Sequence, residues 1–148
     1  MSNFNFEESI SKAIQKADLA EANQQEISSI FEEFSQSFQR ASNNKIYTEI
    51  KSKERRISSN SRNPWLTTTA TLLNSLNYET YTALVLSNGT KEYVLAEIIE
   101  NQDGYPLRIK INDNTSAYSD KDSLIEGLSY LASRTEVGKY FKILLNED

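Results

Sequence analysis

The sequence predicts an α+β fold: an N-terminal helical pair, an antiparallel β-meander of three to four strands, and two C-terminal helices packed on the sheet. Three observations predict it. Residues 6–41 contain neither Gly nor Pro and keep a helical apolar spacing. Residues 80–112 hold two strand–turn–strand patterns around Asn88-Gly89 and Asp103-Gly104. Residues 120–146 carry two apolar stripes, each behind a capping signal. The implied layout is a helical region over 1–44, a basic joint over 45–64 and an α+β body over 65–148, forming one compact domain.

In the first segment Phe6, Ile10, Ala13, Ala17, Ala20, Gln24, Ile27, Phe31, Phe34, Phe38 and Ala41 step by four and three. That is a heptad seam with one polar member, Gln24. Read literally it is a helix of roughly 50 Å. Asp18 followed three residues later by Glu21 looks like a capping box. The expectation is therefore two helices, about 6–17 and 19–41. Ala13, Ala17 and Ala20 make the middle of the seam a weak self-pairing surface, and a homodimer through these helices is one partner expectation. The Phe31/Phe34/Phe38 stripe is read first as core and second as a partner-binding face.

Residues 45–64, KIYTEIKSKERRISSNSRNP, are the one place where an acidic chain turns basic. Residues 1–40 carry three basic and seven acidic side chains, 41–62 carry six and two, and 63–148 carry seven and twelve. The net charges are −4, +4 and −5, in a chain of net −5. Lys51, Lys53, Arg55, Arg56 and Arg62, ending at Trp65, are the candidate partner-binding residues. They suit a protein's carboxylates first and nucleic-acid phosphates second, with the Trp65 indole available to stack a base. The plain structural reading is a solvated helix end or an edge strand guarded by Lys and Arg. Residues 65–72 lean towards a strand because threonines outweigh the helical spacing of Leu66, Ala70 and Leu73.

In the meander, a two-residue Asn88-Gly89 loop sets Leu84 opposite Tyr93, Val85 opposite Glu92 and Ala83 opposite Val94. An Asp103-Gly104 loop sets Ile98 opposite Ile109 and Glu97 opposite Lys110. One face then shows Tyr81, Ala83, Val85, Val94, Ala96, Ile98, Leu107, Ile109 and Ile111 and must be buried. The other mixes Leu84, Leu86, Tyr93, Leu95 and Ile99 with Glu97, Arg108 and Lys110, and needs a helix or a partner over its apolar side. Pro106 has no N–H to give, which predicts an edge at the start of the third strand.

Asp120 or Ser119 caps the first C-terminal helix, with its stripe at Leu124, Ile125, Leu128 and Leu131. Ser133 and Glu136 form a capping box for the second, with Val137, Tyr140, Phe141 and Leu144 as its stripe. Gly127 and Gly138 fall inside these helices, where close packing of a neighbour or a local bend would explain them.

Composition excludes much chemistry. The chain has no Cys and no His, so thiolate metal sites, disulfides, papain-like and Ser-His-Asp catalysis are out. No G-x-G or Walker pattern occurs among four glycines. Asp113, Asp120 and Asp122 lack the spacing of a calcium loop and read as caps and solvated loop. Glu49-Ile50-Lys51 is similar to the Glu-x-Lys of metal-dependent nucleases, which would imply a carboxylate on the metal and a lysine near the attacking water. That pattern needs a second upstream carboxylate, and Asp18, in a predicted helix, is the only upstream aspartate. No signal peptide or membrane span is legible, giving the expectation of a cytoplasmic protein without membrane contact. The leading functional expectation is a non-catalytic, cofactor-free protein-binding module. An inhibitor, immunity, antitoxin or chaperone-like accessory protein that masks a larger partner fits it. A nucleic-acid binder using 45–65 is the alternative, and a nuclease with Glu49 and Lys51 the least favoured.

Overall fold

The computed structural model describes residues 4–56 and 78–147. Helix α1 runs unbroken from Phe6 to Ala41, about 54 Å at 1.5 Å per residue. The expected helical pair is thus corrected to one helix. Asp18 could start a new helix only by leaving helical geometry itself, and its neighbours Ala17, Leu19, Ala20, Glu21 and Ala22 are strong helix formers. Asn5 caps the true start, its side chain accepting the Glu8 N–H at 3.1 Å.

At the other end Ser42 turns the chain. Its hydroxyl donates to the Phe38 carbonyl at 2.8 Å and accepts the Ile46 N–H at 2.8 Å. Asn43 and Asn44 take left-handed φ values of 56° and 66°, a conformation asparagine tolerates better than most residues. The chain then enters β1, Tyr47–Arg56. β2 (Tyr78–Ser87), β3 (Glu92–Ile99), β4 (Leu107–Ile111) and β5 (Asn114–Tyr118) complete an antiparallel sheet in the order β1-β2-β3-β4-β5. Five strands replace the expected three to four. β1 falls in the supposed joint, and β5 follows a tight Asn112-Asp113 turn with Asn112 at φ 54°. The strand expected over 65–72 lies outside the described residues.

The second hairpin lacks the expected two-residue loop, since pairing stops at Ile99 and Arg108 and the Gly104 N–H closes a turn onto the Asn101 carbonyl at 2.8 Å. It nevertheless has the expected register, with Glu97 opposite Lys110 and Ile98 opposite Ile109. The first does not. Its loop spans four residues, Asn88–Lys91, because the Asn88 side chain accepts the N–H groups of Thr90 and Lys91 at 2.9 and 2.8 Å. Val85 therefore faces Val94, and a bulge between Leu84 and Val85 sets Leu84 opposite Ala96. The extra residue on β3 exchanges the faces expected for β2. Leu84 and Leu86 join Leu95, Ala96, Ile98, Leu107 and Ile109 in one buried core, while Val94 is 39% exposed. Helices cover this face. Phe31 and Phe38 of α1 share its core with Leu124, Leu128 and Leu131 of α2 (Lys121–Ala132) and with Val137 and Leu144 of α3 (Thr135–Asn146).

The edge expected at Pro106 is also corrected. β4 pairs with β3 on one side and β5 on the other, and Pro106 precedes the first paired residue, Leu107. The β3–β4 loop instead docks on α1. Gln24, the polar member of the seam, donates to the Gln102 carbonyl at 2.9 Å, and Asn23 to that of Asp103 at 3.1 Å.

Asp120 caps α2 through a reciprocal box with Ser123. Ser133, expected to cap α3, closes α2 by donating to the Tyr130 carbonyl at 2.7 Å. Helix α3 starts after Arg134 with no side-chain cap. Gly127 is packed as expected, since a Cβ there would fall in the Tyr118 ring, whereas Gly138 has open space.

Candidate functional site

β1 exposes its basic residues by simple alternation. Lys51, Lys53 and Arg55 lie on the sheet face opposite the helices, beside Ala83, Tyr81 and Glu79 of β2. Glu92 of β3 reaches back across β2 to two of them. Lys51 Nζ donates to Glu92 Oε1 at 2.7 Å. Lys53 Nζ stands 2.8 Å from Oε2, off the hydrogen-bonding direction, so that contact is Coulombic. Arg55 donates through Nε to Glu79 and forks onto Glu97 with 3.1 and 3.2 Å bonds. Its guanidinium also lies 4.8 Å from the Tyr81 ring centre.

These bonds set the charge states. The Lys51 hydrogen bond, then the Lys53 ammonium beside Oε2, holds the Glu92 carboxyl below its ordinary value. Glu92 raises Lys51 in turn, and Glu79 and then Glu97 raise Arg55. Three cations meet three carboxylates, so the group carries no net charge. It ties β1, β2 and β3 together on the face the helices leave. Arg56, paired in register with Tyr78, is exposed at the end of β1. Arg62 and Trp65 lie outside the described residues.

Glu49-Ile50-Lys51 does sit on a strand. The Lys51 ammonium is engaged by Glu92, however, and among the described residues no group of three or more Asp or Glu side chains is gathered as metal ligands. No described helix is long and apolar enough to cross a membrane.

The three phenylalanines divide. Phe31 and Phe38 belong to the core, Phe38 contacting Phe141 at 6.2 Å between ring centres. Phe34 is half-buried, edge-on to Phe38 at 5.2 Å, and forms the floor of a groove of about 400 Å³ between α1 and α2. Ile30, Ile125 and Leu128 line it with Phe34; Glu26 and Glu33 stand along its α1 side and Lys121 on its α2 side. Phe34, Ser37 and Ser129 also line a second hollow of about 380 Å³ that reaches Val137 and Phe141 of α3. Together they make a trough along α1 from Glu26 to Ala41, about 22 Å long at the helical rise. Ile125 is 41% exposed within it.

The acidic wall is held in place. Arg40 donates to Glu33 at 2.7 Å, and the Tyr105 hydroxyl donates to Glu26 at 2.9 Å. Burial, with that bond second, pushes the Tyr105 phenol well above its usual range. Sequence spacing placed Ile125 on the α2 stripe but left Ile30 off the α1 seam. A signal was present, because Ile27, Ile30, Phe31 and Phe34 make a stripe wider than a heptad seam.

The third feature is the start of α1. Residues 4–19 are exposed on every side of the helix, Phe6 to 67% and Ile10 and Ile14 to 57% each. This arm precedes the first loop contacts at Asn23 and Gln24. No family model, curated protein or solved structure matches the chain.

Proposed function

We propose that this chain is a non-catalytic protein-binding module that masks a larger, basic partner. The reading covers a cytoplasmic inhibitor, immunity, antitoxin or chaperone-like accessory protein. The observation that carries it is the trough between α1, α2 and α3. It offers Ile30, Phe34, Ile125 and Leu128 to an apolar side chain, beside the carboxylates of Glu26 and Glu33. An amphipathic segment with Lys or Arg flanking its apolar anchors fits that chemistry. The neutralised Lys51/Lys53/Arg55 group favours a protein partner over phosphates, since its cations already have carboxylates. The full absence of Cys and His weighs against a catalytic role.

The experiment is affinity capture from native lysate, identification of the captured protein, and reconstitution from purified components. Ile125→Glu disrupts the trough at an exposed position. Ile143→Glu, equally exposed at 41% but outside the trough, is the control. A stoichiometric complex weakened at least about tenfold by the first variant and unchanged by the second supports the reading, about 1.4 kcal/mol. Reproducible recovery of no protein, or affinity indifferent to Ile125→Glu, overturns it.

A further inference from the structure

We propose that the exposed arm of α1 packs antiparallel against the arm of a second copy of this chain. The inference does not rest on the masking reading, because no residue of 4–19 lines the trough.

Exposure poses the problem. Phe6, Ile10 and Ile14 are 57–67% exposed on a helix that extends beyond the contacts of its own body. A helix with large apolar side chains in water gains by pairing them. The spacing Phe6-Ile10-Ala13-Ala17 is that of a coiled-coil seam.

Direction follows from the body. The seam continues through Gln24, Ile27 and Phe31, which already pack on the β3–β4 loop and the core. A parallel partner helix, extended past the arm, would run into the sheet. Parallel pairing would also stack Phe6 on Phe6 and alanine on alanine. An antiparallel partner leaves the arm at its N-terminal end, away from that body.

Register follows from size and charge. Setting Phe6 over the partner's Ala17, and Ile10 over the partner's Ala13, makes every layer large against small. The same overlay lays residues 6–11, with Glu7 and Glu8, along the partner's residues 12–17, with Lys12 and Lys16. Glu8 and Lys12 lie off the seam and pair within their own helix at 3.8 Å, so charge bears on the register only through the side chains that flank the seam, and the two-fold axis repeats each layer. Beside the seam, Lys16 neighbours the partner's Ser9, and Glu7 the partner's Ile14. The next antiparallel register, seven residues along, would set Lys16 beside the partner's Lys16 and alanine on alanine. The overlap is about 17 Å of helix. It buries less than the roughly 1,000 Å² of a standard interface, so the dimer is weak and concentration-dependent.

The chain has no cysteine, which makes cross-linking the natural test. Ile10→Cys and Ala13→Cys are made in separate chains, mixed and oxidised. The mixture gives a disulfide dimer joining the two kinds of chain, while each variant alone, three residues out of register, gives far less. Leu19→Cys, on the opposite side of the arm, is the collision control. Sedimentation of the unmodified chain over rising concentration shows a monomer–dimer equilibrium that Ile10→Glu abolishes, with the circular dichroism of the body unchanged. A chain that stays monomeric up to about millimolar concentration overturns the proposal. So does Ile10→Cys cross-linking to itself as readily as to Ala13→Cys, which is the parallel outcome, or Leu19→Cys cross-linking as readily as the mixture.

Discussion

Gly104 stands so close to Asn23 that a Cβ on residue 104 would come within 2.5 Å of the Asn23 Cβ. The β3–β4 loop is pressed against the middle of α1 at this point. Asn23 and Gln24 bind the carbonyls of Asp103 and Gln102, and Gly104 itself has φ of 89°. Two independent costs therefore meet in Gly104→Ala: a side chain in a left-handed conformation and a backbone-to-helix collision. The expected loss is about 2–4 kcal/mol, read as a lowered urea midpoint. The exposed arm of residues 4–19 adds little, so the same loss should appear in a chain starting at residue 20. Equal stability of Gly104→Ala and the parent would show that the loop does not bear on α1.

The two helical glycines should respond with opposite signs. Alanine at Gly138 enters open space and stiffens the unfolded chain, so α3 and the whole protein should gain about 0.5–1 kcal/mol. Alanine at Gly127 gains the same helix propensity but drives its methyl into the Tyr118 ring, and the ring must leave the face of α2. The expected net is a loss of about 1 kcal/mol. Thermal melts of the two variants beside the parent check this, with melting temperature rising for Gly138→Ala and falling for Gly127→Ala.

These residues also show what was legible in the sequence and what was not. Asp103-Gly104 marked the register but not the length of its loop, since alternating apolar residues fix how the strands face one another while pairing stops at Ile99 and Arg108. The two C-terminal stripes, and the neighbour packed on Gly127, were equally readable from spacing. β1 was legible only as one of two plain readings of the basic run, an edge strand or a helix end, because its inward positions include Thr48, Ser52 and Glu54 and its outward ones beyond Tyr47 are charged. Such a strand has little apolar alternation to announce it, and its pairing with β2 supplies the order. The Lys51–Glu92 and Arg55–Glu97 contacts depend on that pairing, so a basic run that reads as a binding patch becomes a neutral ion group. Phe34 was named from the seam, but the trough it floors needs Ile125 from α2, which only the packing of two helices brings beside it.

That ion group predicts a pH dependence. Glu92 is held below its ordinary value of 4.5 by Lys51 and then Lys53. A carboxylate lowered in the folded state contributes stability above its unfolded value, and that contribution is lost as pH falls through the folded value. Glu92→Gln should therefore unfold at lower urea than the parent at pH 7. The difference should shrink below about pH 4.5 and vanish in stronger acid. Since the three side chains are 28–38% exposed, the neutral-pH difference is about 1 kcal/mol or less, and salt should reduce it. A difference constant down to strong acid would mean that Glu92 acts by shape and not by charge.

The bulge between Leu84 and Val85 makes the sharpest comparison, because it decides which β2 residues meet the helices. Leu84 is fully buried in the common core, whereas Val94 is 39% exposed. Leu84→Ala should therefore open a cavity beneath the helices and cost about 2–5 kcal/mol. Val94→Ala, on the other face, should cost less than about 1 kcal/mol. A two-residue Asn88-Gly89 loop without the bulge would put Val94 inside and Leu84 on the mixed face, reversing the order. Urea midpoints of the two variants thus read the register directly. If Val94→Ala proves the costlier change, β2 presents Ala83 and Val85 to the helices and the bulge is absent in solution.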